Sequence, residues 1–334
     1  MRGACTFRTA EKIMLGARRS LLSGHKAPVV SIETSNEDSL LVSSSEDGSA
    51  RFWDIREKHT SVKLFKLPQT DGEIGLCRRK DNLVAVSSGN CLFGYDLRVS
   101  TSIIVSTVAL SYSSSDLDDE INDFCIGAES VIIPLDSGNV STLSLSSFQQ
   151  ISSTRCHSNI ASVVRCLPTG RNLVSGGYDC NLSTVKTEPI LKLDQQIPVS
   201  SLMIPMEECD DTSQSINPPF VTGLELNSSS DKVAVGSGDG SVIVADLKKG
   251  GSRIDTRRSA WGGSGIHSVA VADIAWSGDT VWSVGNDSVL INMSESHINV
   301  RYKLGFKPNA VAHIGGGKVA VAGLQNEIEL LDFS

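Results

Sequence analysis

Residues 231–250 read DKVAVGSGDGSVIVADLKKG. Two short runs of β-branched and small apolar residues, KVAVGS and SVIVAD, flank Asp239-Gly240, a pair that reverses the chain readily because glycine enters positive φ without a Cβ clash. The local reading is strand, tight turn, strand. Residues 318–333, KVAVAGLQNEIELLDF, repeat the shape around Asn326. The same unit recurs along the chain with landmarks at Asp47, Gly89, Asp136, Asp179, Asp239, Asp287 and Asn326, spaced 42, 47, 43, 60, 48 and 39 residues apart. A period of roughly 40–45 residues is that of four-stranded propeller blades, and seven landmarks predict seven blades. The one long interval contains MEECDDTSQSI at 206–216, an acidic polar run expected to protrude as a loop.

Long helical periodicity is absent and 29 glycines interrupt the chain, so the expected class is all-β. The last unit offers NAVAHI, KVAVAG and EIELLDF, three strands where a blade needs four. ARRSLL at 17–22 is a strand-like run with no blade of its own. It predicts that the N-terminal strand completes the last blade, closing the ring and removing an edge that would otherwise recruit other chains. The expected organisation is a flexible arm at 1–15 followed by one seven-bladed β-propeller at 16–334. The arm carries Arg2, Arg8 and Lys12, with Arg18 and Arg19 beyond it, against Glu11, a weak match to a mitochondrial presequence. The strand required near Arg18 to Leu22 argues for structure instead.

Composition narrows the function. With 40% hydrophobic and 20% charged residues, the chain is globular and well supplied with core. A net charge of -8 and the lack of any clustered basic stretch argue against nucleic acid. No window approaches the roughly twenty apolar residues of a spanning helix, so no membrane role and a soluble chain are expected. The eight cysteines are scattered without a C-x-x-C pair, and read as reduced core residues of a cytoplasmic or nuclear protein. No metal or cofactor set stands out. Residues 236–240, GSGDG, lack the lysine and helix of a phosphate loop and read as a hairpin turn. WGGSG at 261–265 reads as a flexible linker into the sixth unit, with a place on a binding rim as the other option.

Three His–Asp pairings suggest hydrolase chemistry at first sight: His25 with Asp47, His157 with Asp179, and His267 with Asp287. Their separations are 22, 22 and 20 residues. A catalytic triad occurs once, whereas a structural network repeats, so the spacing argues against an enzyme.

SGHKAPVVSI followed by LLVSSSEDGSARFWDIR, with Gly24-His25 at the start and Trp53-Asp54 at the end, resembles a WD repeat. The other units are degenerate, keeping HSNIASVV and LVSGGYD in the fourth and IHSVAVADIAWS and VWSVGND in the sixth. The runs EIND, DSGNV, CHSNIASVV, NLVSGGYD and INPPFV extend the resemblance to WD-repeat proteins over most of the chain. The resemblance implies that His25, Asp47, Trp53, His157, Asp179, His267 and Asp287 belong to an internal hydrogen-bond network, with Trp53 packed between strands. It also implies a protein-binding scaffold, monomeric within a complex. LVSSSEDGSARFWDIR ends in the WD-x-R pattern by which WD-repeat substrate receptors dock on the adaptor of cullin-four ubiquitin ligases, and the next unit ends similarly in Tyr95-Asp96-Leu97-Arg98. By that resemblance Asp54, Arg56, Asp96 and Arg98 lie on one face and bind the adaptor. The alternative is a general assembly or chromatin-associated scaffold in which these arginines are merely solvated.

Overall fold

The two middle strands of each sheet bury both of their faces. In the strand Leu40–Ser45, Leu41 packs toward one neighbouring sheet and Val42 toward the other, and in Ser49–Asp54 the same division separates Trp53 from Phe52. Successive side chains point to opposite faces of a strand, so a sheet sandwiched between two others reads as a near-continuous small apolar run rather than an alternating one.

The computed structural model describes residues 16–334 apart from 36–38, 57–60, 69–73, 100–101, 115–118, 189, 204–216, 249–252, 257–260 and 296. The expected arm at 1–15 and the acidic loop at 206–216 lie outside the described residues. Seven sheets follow one another in chain order, antiparallel but for one short strand added to the first, and the architecture is an all-β, seven-bladed propeller. Blade 4 shows the pattern, with Ala161–Cys166 innermost, then Asn172–Gly177, Asn181–Lys186 and Lys192–Pro198 at the outside. All seven landmarks fall in the turn between second and third strands, among them Asp47 between Ser45 and Ser49 and Asp239 between Ser237 and Val242.

Seven hydrophobic clusters hold the ring, each built from two adjacent blades. The cluster joining blade 7 to blade 1 contains Leu22, Val29, Leu41, Trp53, Ala320 and Ile328. The ring closes by strand pairing: Arg18–Ser23 runs antiparallel to Glu327–Asp332, from Arg18 opposite Asp332 to Ser23 opposite Glu327. Arg19 adds an ion pair with the buried Glu329, and the Ser23 hydroxyl donates to Glu327 at 2.6 Å.

Two details depart from the sequence reading. Residues 261–265 are not a free linker, because Trp261–Gly263 forms the outer strand of blade 5, opposite Val242 to Val244, with Trp261 buried against blade 6. Gly262 takes φ +96° there, where a Cβ would strike the Val242 carbonyl, so the glycines serve a strand edge packed close to its neighbour. Blade 1 also has five strands rather than four. After Cys91–Asp96 the chain leaves blade 2, lays Ile104–Val105 parallel to the outer strand Ser61–Lys66 of blade 1, and returns as Leu110–Ser113 to finish blade 2.

Candidate functional site

The repeated polar network is assembled from strand and turn residues of one blade at a time. In blade 1, His25 Nδ1 meets Asp47 at 3.1 Å, His25 Nε2 meets the Ser43 hydroxyl at 2.8 Å, and Trp53 Nε1 donates to the same hydroxyl at 2.8 Å. With the ring proton on Nδ1 toward the carboxylate, Nε2 accepts from Ser43, whose oxygen accepts from Trp53; every donor is used. Blade 4 repeats it with His157, Asp179 at 2.9 Å and Ser175 at 3.1 Å, and blade 6 with His267, Asp287 at 3.1 Å and Ser283 at 2.9 Å. Each aspartate also caps the loop before the inner strand, accepting from the backbone N–H of Lys26, Ser158 or Ser268.

The order Ser–His–Asp matches that of a hydrolytic triad, but Ser43, Ser175 and Ser283 are fully buried. No substrate carbonyl reaches them. Burial pushes the His157 imidazole below its ordinary value against the pull of Asp179, which favours the neutral ring. Although burial raises Asp47, Asp179 and Asp287, hydrogen bonds from the histidines and the turn hold all three below the usual carboxylate range.

Sequence reasoning missed the serines, which follow their histidines by 18, 18 and 16 residues and carried no signal amid a serine-rich chain. It also missed substitutes in degenerate blades. Asn122 Nδ2 donates to Asp136 at 2.8 Å in blade 3, and Ser237 donates to Asp239 at 2.7 Å in blade 5.

The two Asp-x-Arg sequences form matching hooks. Arg56 Nε and Nη2 fold back on Asp54 at 2.9 and 2.6 Å, with the Arg56 backbone N–H on the same carboxylate at 3.0 Å. Arg98 reproduces this on Asp96 at 2.9, 2.6 and 2.9 Å. The hydrogen bonds from Arg98 hold the Asp96 carboxyl down at about 2. Both pairs end the third strands of adjacent blades and so share a face. The arginine side chains are 68% and 72% exposed, so both guanidinium groups face solvent while bonded to their carboxylates. Trp53 beside the first hook is instead fully buried between blades 7 and 1, and Tyr95 occupies the matching place in blade 2, donating to the Lys66 carbonyl at 3.0 Å.

The excursion between blades 1 and 2 lies next to these hooks. It follows directly on Arg98, and the Ile103 carbonyl accepts from Leu64 N–H at 2.8 Å on the blade 1 edge. Val62, Val99, Ile103 and Ile104 are all exposed there, an apolar group that the sequence reading did not single out. Arg98 also borders a cavity of about 390 Å³ floored by Leu83, Leu110 and Leu145. Inner strands run in the same sense as third strands, so the cavity of about 660 Å³ ringed by inner-strand ends opens on the hook face. No group of three or more metal-ligating side chains occurs among the described residues.

The chain is a seven-bladed β-propeller in which WD repeats are found. The family model for the WD domain, G-beta repeat, matches residues 16–54 and 148–183, which span the closing strand with most of blade 1 and the outer strand of blade 3 with much of blade 4. Among curated proteins, the chain is similar to a WD repeat-containing protein 53 homolog of Dictyostelium discoideum, 23% identical over 240 residues, or 68% of this chain. The chain spans 64% of the length of that curated relative. WD-repeat propellers are generally non-enzymatic scaffolds that bind proteins.

Proposed function

We propose that the protein is a non-enzymatic substrate receptor that docks on the adaptor of a cullin-four ubiquitin ligase through the Asp54–Arg56 and Asp96–Arg98 hooks. The observation that carries this reading is the pair of identical, exposed and internally braced guanidinium groups at equivalent ends of adjacent blades. An arginine already held by its own carboxylate loses little side-chain freedom on binding, and its planar fork suits carboxylate or carbonyl acceptors on a partner. The exposed Val62, Val99, Ile103 and Ile104 beside the hooks supply the apolar contact that a charged pair alone lacks. The rest of the propeller is left to recruit the protein to be modified. Six described cysteines are free, in keeping with action in the cytoplasm or nucleus.

Co-precipitation of the adaptor with wild-type chain and with the Arg56→Ala, Arg98→Ala double variant tests the reading. Capture by wild type and loss by a double variant that melts normally is the expected result. Capture unchanged in that variant, or absent from wild type, replaces the receptor with the general scaffold.

A further inference from the structure

Cys125 begins the inner strand of blade 3 and Cys166 ends the inner strand of blade 4, and their sulfurs approach to 2.8 Å. That is closer than two unbonded sulfurs ordinarily rest, and farther than the roughly 2.0 Å of a disulfide, which a movement of under about 1 Å would reach. Both residues line the 660 Å³ cavity, so small solutes reach them from the hook face. Two basic side chains, Arg165 and Lys80, lie close to this pair. Arg165, adjacent to Cys166, is fixed by Asp123 at 2.6 Å and Glu225 at 2.8 Å, and Lys80 is anchored on the Gly127 carbonyl at the same wall.

We propose that Cys125 and Cys166 are a peroxide-reactive dithiol, Cys166 the attacking sulfur and Cys125 the resolving one, which closes reversibly to a disulfide tying blade 3 to blade 4. The two thiols are electrostatically unequal. The hydrogen bond from Cys125, with Arg165 and Lys80, holds the Cys166 thiol below the ordinary cysteine value despite its burial. Burial instead pushes Cys125 well up. A low-lying thiolate near cations is the reactive kind, and a protonated neighbour within reach resolves it.

The chemistry balances with hydrogen peroxide as oxidant. The Cys166 thiolate attacks one peroxide oxygen, the O–O bond breaks, and the departing hydroxide takes a proton to leave as water, which gives the sulfenic acid at Cys166. The Cys125 sulfur then attacks the Cys166 sulfur, losing its proton as the S–O bond breaks and a second water leaves. Two thiols are oxidised and one peroxide is reduced to two waters. A cellular dithiol reductant reverses the step by thiol–disulfide exchange.

Cys77 and Cys156, each pushed up to about 12 by burial, serve as internal references. The experiment treats the full reduced chain with limiting hydrogen peroxide, blocks remaining thiols with iodoacetamide and maps non-reduced tryptic peptides. The expected product joins peptide 99–155, whose sole cysteine is Cys125, to peptide 166–171. Cys125→Ser is expected to stop at a dimedone-trappable sulfenic acid on Cys166, and Cys166→Ser to leave Cys125 unoxidised. Without peroxide, Cys166 is expected to alkylate faster than Cys77 and Cys156 in the folded chain. The proposal is overturned if Cys166 alkylates no faster than those two. It is equally overturned if the joined peptide fails to form, or forms only in denaturant, while circular dichroism shows the folded β signal.

Discussion

Replacing His157 by Ala isolates one copy of the repeated network. The imidazole is buried and bridges Asp179 at 2.9 Å to Ser175 at 3.1 Å. Its loss leaves Ser175 with the Val163 carbonyl and Asp179 with the N–H groups of Ser158 and Asn181, so neither partner is stripped bare. The cost is therefore set at that of one charge-assisted and one neutral buried hydrogen bond, about 2–4 kcal/mol near neutral pH. The pH dependence is the sharper test. His157 titrates below its unfolded value of 6.5, so the stability associated with keeping it neutral is full above 6.5 and declines as pH falls below it. Asp179, lowered from 3.8, adds a loss in the same direction below that pH. Asp273, raised by burial to about 6, changes stability in the opposite sense, but it is common to both proteins and cancels in the difference. Urea denaturation of wild type and variant across pH 7 to 4 should thus show a gap that narrows on acidification. A gap that widens, or turnover of ester substrates by the wild type that the variant loses at unchanged stability, would refute the structural assignment.

Truncation to begin at His25 removes the strand opposite Glu327–Asp332, and the chain should aggregate, as light scattering on refolding would show; an unchanged melting temperature would mean the ring closes otherwise. Trp53→Ala empties a fully buried site between blades 7 and 1 and should cost about 3–5 kcal/mol by chemical denaturation, with adaptor capture lost only through unfolding. Gly240→Ala should cost about 2 kcal/mol or more, since φ is +84° and a Cβ would collide with the His267 carbonyl; a neutral effect would place the turn differently. Because Arg98 holds Asp96 ionised down to about pH 2, adaptor capture should fall with added salt yet stay level between about pH 5 and 8, which a pull-down series in each variable would check.

Much of the ring was legible because the information is local. An Asp, Gly or Asn turn marks the middle of every blade, and the shortage of one strand at the C-terminus pointed to residues 17–22 before any pairing was visible. The His–Asp pairs could be read from spacing, since turn and loop lengths are fixed by the blade. Their serines could not, because a serine in VSSS differs from its neighbours only in which way the strand presents it. Residues 261–265 misled for a related reason: glycine signals flexibility in isolation, whereas here it permits close packing of a short outer strand. The Ile104–Val105 excursion is non-local, a parallel pairing across blades decided by which edge lies within reach.

That excursion changes what the Asp-x-Arg endings mean. An ion pair between neighbours in sequence, exposed at a strand end, contributes little to folding, so stability alone gives no reason for it to occur twice in the same geometry. A second chain segment that could have stayed with blade 2 instead carries Ile103 and Ile104 to the blade 1 edge and leaves them, with Val99 at its start, exposed at a hydrophobic cost to the free protein. Exposed apolar residues lower the free energy of a complex only where a partner covers them, and braced arginines do so only where a partner supplies acceptors. Both occur on the same stretch of rim, so a single protein surface that is apolar at its centre and rich in acceptors at its margin satisfies them together.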